Sequence, residues 1–226
     1  MDQTAARISG TRPTPRSYRP SELLADRWVH IVGLASASLA VVVLTIAAVE
    51  RESLRLFIGV GVYCFGLLAM LACSALYSMA KPSPLKENLR RFDHAAIFIM
   101  IAGSYTPFLL VGIGGGWGWG MLAFVWPVAI LGVCVALAAP RRFERAQLAG
   151  YLLLGWSIVV ARGPLSDHLA PAAIQLLIAG GLFYTLGVPV YLLRCLGYHN
   201  AIWHALVLIG AGCHYAAVLT GVVLAS

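Results

Sequence analysis

Seven long apolar runs dominate this chain, and an α-helix needs only about 20 such residues, at about 1.5 Å each, to cross ~30 Å of hydrocarbon. The runs fall at 28–49, 56–80, 94–113, 121–140, 146–161, 171–193 and 201–224. The fifth is the shortest. With 60% of its 226 residues hydrophobic and 11% charged, the chain lacks the polar surface of a water-soluble domain. The expected fold class is an all-α membrane protein, a seven-transmembrane helix bundle over 28–226. Residues 1–27 read as a disordered basic cytoplasmic tail. That tail lacks the short apolar core of a cleavable signal peptide, and Arg7, Arg12, Arg16, Arg19 and Arg27 suit it to setting topology.

Orientation follows from the loops. With seven spans, 13 of the 16 lysines and arginines fall in the tail and in the segments after spans two, four and six. Such a bias puts the amino terminus in the cytoplasm and the carboxyl terminus outside, in a multi-pass cell-membrane protein of the bacterial inner-membrane type. Charge alone leaves the helix number open, because deleting the fifth span preserves the imbalance. Only with seven spans does the last helix start on the cytoplasmic side.

Several features read structurally. The five cysteines, Cys64, Cys73, Cys134, Cys195 and Cys213, show no CxxC pairing and are expected to act as small buried hydrophobes. The GGGWGWG loop from Gly114 reads as an interfacial turn. Pro107, Pro127 and Pro189 should kink their helices, which also can open a cavity. No GxxxxGK[ST], HExxH or GxSxG string points to a nucleotide, zincin or hydrolase-elbow site.

Ionisable residues are costly inside a bilayer, by about 2.5–3.5 kcal/mol for Asp, Lys or Arg at its centre, so those present carry a functional hypothesis. Asp93 and His94 open the third span, His30 lies near the start of the first, and His204 and His214 belong to the last. Ser74 and Ser78 are four apart, as are Asn200 and His204, so each pair shares a helix face. All but His214 sit at cytoplasmic-side positions. His214 should lie ~15 Å deeper than His204. Asp93 and His94, ~100° apart on a helix, should not both face inward. The cluster reads either as a helix-end hydrogen-bond network or as a pocket in which Asp93 and His204 hold a metal or activate water.

The strings SALY from Ser74, RRFDHAAIFIMIAGSYTPF from Arg90, GGLFYTLGVPVY from Gly180 and AIWHALVLIGAGCHYAAV from Ala201 closely resemble the hemolysin III family, bacterial relatives of the progestin and adipoQ receptors. The resemblance runs from Asp26 to Thr220. It implies a seven-helix bundle with a cytoplasmic amino terminus. It also implies a site, shared with an alkaline-ceramidase-like superfamily: a serine and a histidine four apart on helix two, an aspartate on helix three, and two histidines four apart on helix seven. Ser74, Asp93 and His204 match that pattern and are the expected catalytic residues. Ser78 and Asn200 stand where histidines are implied, and with His94 and His30 they are the expected pocket residues. Neither a serine hydroxyl nor an asparagine amide replaces an imidazole on zinc, so no cofactor is expected.

Three functions remain open: binding or sensing of a lipid, in membrane homeostasis; hydrolysis of a lipid amide or ester, with a metal recruiting other ligands; and a pore or transporter. Membrane lipids are the expected partners and nucleic acid is not.

Overall fold

The computed structural model describes residues 18–138 and 143–225. Seven helices in it are long and apolar enough to cross a membrane, and no strand occurs among the described residues. They are α1 (Pro20–Val49), α2 (Leu54–Met79), α3 (Pro84–Ile113), α4 (Gly115–Ala138), α5 (Glu144–His168), α6 (Pro171–Leu192) and α7 (His199–Val223). An odd number of spans puts the two ends of the bundle's chain on opposite faces. The expected disordered tail lies outside the described residues up to residue 17, as does the end of the fourth run at residues 139 and 140.

Helix starts follow local chemistry. Proline occupies the first turn of α1, α3 and α6, where its missing N–H has no intrahelical acceptor to lose. Ser53 and Ser83 cap α2 and α3, their Oγ atoms accepting from the N–H of Leu56 (3.4 Å) and Lys86 (3.2 Å). α1 starts eight residues before the apolar run expected at Trp28, because the Glu22 carboxylate accepts the Arg19 N–H at 2.9 Å and the Tyr198 N–H at 3.0 Å. Those bonds tie the first helix to the turn before the last. Likewise α4 begins at Gly115 rather than Met121. Gly114 and Gly115 take φ values of +60° and +55°, a left-handed bend that glycine adopts without strain, and the chain turns there in one step.

α2 and α3 pack closely, as do α6 and α7, where Gly180 and Gly210 meet. A Cβ on Gly66 would sit 3.2 Å from the Met100 Cα, so the two backbones meet across a small-residue seam typical of membrane helices. Pro107 does not end α3; the helix widens into a π segment, Phe108–Ile113. The cysteines depart from expectation. Cys64 is buried, but Cys134 on α4 and Cys195 in the turn between α6 and α7 are exposed.

The fifth run looked short in sequence because its helix is broken and resumes. α5 passes through a 3₁₀ stretch, Ser157–Ala161, and continues to His168. Tyr105 holds the break. Its hydroxyl faces the carbonyls of Leu154 (2.8 Å) and Gly155 (2.7 Å) and accepts the N–H of Ile158 at 2.8 Å. Backbone groups released from the α ladder find partners there, as the hydrocarbon requires. Replacing Tyr105 by Phe should therefore strand those groups and cost about 1–3 kcal/mol. The thermal midpoint of the detergent-solubilised Tyr105→Phe protein should fall by several degrees, and an unchanged midpoint would contradict this role.

Candidate functional site

A cavity of about 430 Å³ lies within the bundle. Most of its wall is apolar, from residues such as Met70, Met100, Leu148, Leu177 and Val207. His30, Ser74, Asp93, His94 and His204 line one end, where α1, α3 and α7 begin and α2 finishes. His214 lines it deeper in α7, packed edge-on against Tyr184 with ring centroids 5.3 Å apart. Val159 of α5 and Ile178 of α6 line it too, yet are 53% and 48% exposed, so the cavity reaches the bundle surface between these helices.

The polar end is built from helix-face spacing. Asp26 and His30 are one turn apart on α1, and Ser74 and Ser78 one turn apart on α2. Asp26 is buried, 4% exposed, and does not line the cavity. His204 Nδ1–H donates to Asp26 Oδ1 at 2.6 Å, and the Ser78 hydroxyl donates to Oδ2. The short Nδ1 contact is that of a charge-assisted bond. With its proton on Nδ1, His204 turns the lone pair of Nε2 toward Ser74 Oγ, 3.5 Å away. The His30 and His204 rings lie 4.4 Å apart between centroids. Buried His30 Nε2 has no hydrogen-bond partner among the described residues, its nearest carboxylate oxygen being Asp26 Oδ2 at 3.7 Å. Asp93 faces Ser74 and His204 from α3.

Ser74, Asp93 and His204 thus lie together on one wall, with His30. Ser78 lies behind them, hydrogen-bonded to Asp26. Asn200 lines a separate small cleft with Tyr18, Glu22 and Asp26, so it does not share the cavity. Asp93 and His94 both line the cavity, contrary to the expectation from their angular separation. The reason is breadth: α3 wedges between two walls, so Asp93 turns to α2 and α7 while His94 turns to α5. There His94 Nδ1–H donates to Gln147 Oε1 at 3.0 Å, and the Tyr151 hydroxyl donates to the His94 carbonyl at 2.9 Å.

Asp26, Gln147 and Tyr151 escaped the sequence reading. Asp26 fell in what read as tail, although its spacing to His30 is the same four-residue signal that singled out Ser74 and Ser78. Nothing in the sequence marked Gln147 as the partner of His94.

The zinc site implied by the resemblance does not form from its own positions. The Ser78 hydroxyl is committed to Asp26, and Asn200 lies off the cavity. Asp26, His30 and His204 do bring three donor atoms within 4.8 Å of one another. Asp26 Oδ1 and His204 Nδ1, however, are closed to 2.6 Å on a proton, whereas zinc bonds of about 2.0–2.1 Å set tetrahedral ligand separations near 3.3 Å. As arranged, Asp26 and His204 form a hydrogen-bonded acid–imidazole pair.

Fold and site together define a multi-pass membrane protein with an acid–imidazole cluster at one end of an apolar cavity. Residues 21–215 match the family described as haemolysin-III related. Hemolysin-3 of Bacillus cereus is 33% identical over 198 residues, 88% of this chain and 90% of the relative. The Hemolysin-3 homolog of Bacillus subtilis is 32% identical, covering 88% and 93%. The human monocyte to macrophage differentiation factor is 30% identical over 70% of this chain and 67% of its own. The chain belongs to the haemolysin-III-related family.

The Asp26–His204 bond joins the first and last helices and should show as thermodynamic coupling. In a double-mutant cycle with Asp26→Ala and His204→Ala, unfolding in detergent should give a coupling of about 1.5–3 kcal/mol, the range for hydrogen bonds to charged groups. Additive effects would remove the bond from the account of how α1 is held.

Proposed function

We propose that the cavity holds one lipid-type amphiphile, its apolar chain among the walls of α2, α3, α5, α6 and α7 and its polar end at Ser74, Asp93 and His204. The segregation of the lining carries this reading: polar groups converge at one end of an otherwise apolar space large enough for a small ligand. The surface opening between Val159 and Ile178 supports it, since a ligand arriving from the bilayer would pass between α5 and α6 without crossing water. The loop charge bias puts the polar end under the cytoplasmic leaflet. Held there, such a ligand would let the protein bind or sense a membrane lipid.

Hydrolysis of the held lipid is a second reading, favoured by one observation: Asp26, His204 and Ser74 stand in line, with Ser74 and His204 on the cavity and Asp26 behind. We read the cluster as working without tightly bound zinc, on the grounds of its donor set.

Both points are open to test. An alkyl lipid probe carrying a diazirine should crosslink to cavity-lining residues of the purified protein. Leu177→Trp, which fills the cavity, should reduce that labelling about tenfold or more, as expected when 1.4 kcal/mol of binding is lost. Crosslinks confined to the outer faces of the bundle and indifferent to Leu177→Trp would refute the cavity reading. Elemental analysis of the same protein should find well under one zinc per chain, and a fully occupied site that empties on His204→Ala would overturn the metal-free reading.

A further inference from the structure

We propose that Tyr184 and His214 form a second hydrogen-bonding station partway along the cavity, which selects an amphiphile carrying a hydroxyl about 15 Å from its head. The proposal rests on the cavity holding an amphiphile and deepens that reading by naming the ligand's class. It is a single-chain lipid with a neutral polar head and one further hydroxyl beyond mid-chain.

Both residues line the cavity, His214 about three turns beyond His204 on α7 and Tyr184 against it on α6. His214 Nε2–H donates to the Leu177 carbonyl at 3.3 Å, which leaves Nδ1 as an acceptor. The Tyr184 hydroxyl has no hydrogen-bond partner among the described residues. Other hydroxyls on the wall are spent within the protein: Thr185 donates to the Gly181 carbonyl at 2.7 Å, Tyr151 to the His94 carbonyl at 2.9 Å and Tyr191 to Glu144 at 2.8 Å. The partnerless side-chain atoms that are sealed away, among the described residues, belong to His30, Tyr63 and Arg91. Tyr184 Oη and His214 Nδ1 are not among them and stay open to a ligand. The backbone also makes room for both rings. A Cβ on Gly180 would lie 2.3 Å from His214 Cδ2, and one on Gly210 would lie 3.0 Å from the Tyr184 ring. Two glycines of the α6–α7 seam are thus given over to a pair of polar rings. A contact that only joined these helices would not need a phenol hydroxyl with nothing to bond, which is costly at this depth.

One ligand hydroxyl satisfies both atoms: its oxygen accepts from Tyr184 Oη–H, and its own proton goes to His214 Nδ1. Spacing sets where on the ligand that hydroxyl must fall. With the head held at Ser74 or His204, ~15 Å corresponds to about 12 carbons of an extended chain, each advancing ~1.25 Å from bonds of ~1.52 Å. An unsubstituted chain leaves both protein atoms without a partner in an apolar space, and a site built to bond a hydroxyl discriminates against ligands that lack it for that reason. The head is neutral because Asp93 lines the polar end and Asp26 lies just behind it, where a ligand anion would be repelled.

The test uses the full chain in detergent, with octadecanol, its 12-hydroxy derivative and its 6-hydroxy derivative competing against the diazirine lipid for the cavity. The 12-hydroxy compound should displace the probe about tenfold more effectively than octadecanol, the gain expected of one or two satisfied hydrogen bonds. The 6-hydroxy compound, whose second hydroxyl falls short of the station, should do no better than octadecanol. Tyr184→Phe and His214→Phe should each bring the 12-hydroxy compound down to the level of octadecanol while leaving displacement by octadecanol itself unchanged, which also shows that the variants fold. The wild-type protein decides the question even if they do not. A 12-hydroxy compound no better than octadecanol, or two hydroxy compounds that compete alike, overturns the proposal, as does a preference that survives either substitution. If octadecanol displaces the probe and the 12-hydroxyl adds nothing, the station fails and the lipid cavity stands. If none of the compounds displaces the probe from the cavity, both fail.

Discussion

The hydrogen bond from His204 to Asp26 joins the start of the first helix to the start of the last, beside the bond from the Tyr198 N–H to Glu22. Neither Asp26 nor His204 is affordable alone in a membrane interior, where an unpaired carboxylate or imidazole N–H costs several kcal/mol. Together they satisfy each other, and Ser78 takes the remaining carboxylate oxygen. Because α2 ends and α3 begins at that same end, the bond also decides what surrounds it. Ser74 and Asp93 are carried to His204 by helices whose positions the bilayer and the α2–α3 glycine seam already constrain.

The cavity follows from the same constraints. α5 replaces one stretch of α ladder by 3₁₀ turns pinned to Tyr105. The broken helix lines the space rather than filling it. Its neighbour α6 leaves Ile178 half exposed opposite Val159, so the interior communicates with the lipid-facing surface there. Polar chemistry at one end and hydrocarbon along the rest is the arrangement an amphiphile matches, and it gives the acid–imidazole cluster something to act upon.

Much of this was legible in the sequence. Apolar length gave seven spans, and the four-residue spacing of Ser74 with Ser78 picked out two hydroxyls that reach His204 and Asp26, whereas Asn200, four residues before His204, lies off the cavity. Composition hid the rest. Residues 20–27 are polar enough to read as tail, yet they are helical, and their buried members Glu22 and Asp26 face other helices rather than water. A single-residue hydropathy pattern does not distinguish a solvated carboxylate from one held by an imidazole 178 positions away. The fifth span looked truncated because hydropathy fell at Arg162 and Gly163, whereas the helix continues once Tyr105 has replaced the missing backbone bonds. The two positions of His94 and Asp93 likewise depended on the width of a space that no local pattern records.

The central claim is that Ser74, Asp93 and His204, with Asp26 behind them, form the polar end of a space that lipid occupies. An experimental structure of the chain purified with native lipid tests it most directly. The account predicts elongated density along Met70, Met100 and Leu177, ending within hydrogen-bonding distance of Ser74 or His204. A cavity closed by collapsed side chains, or His204 turned away from Asp26 toward the surrounding tails, would contradict it.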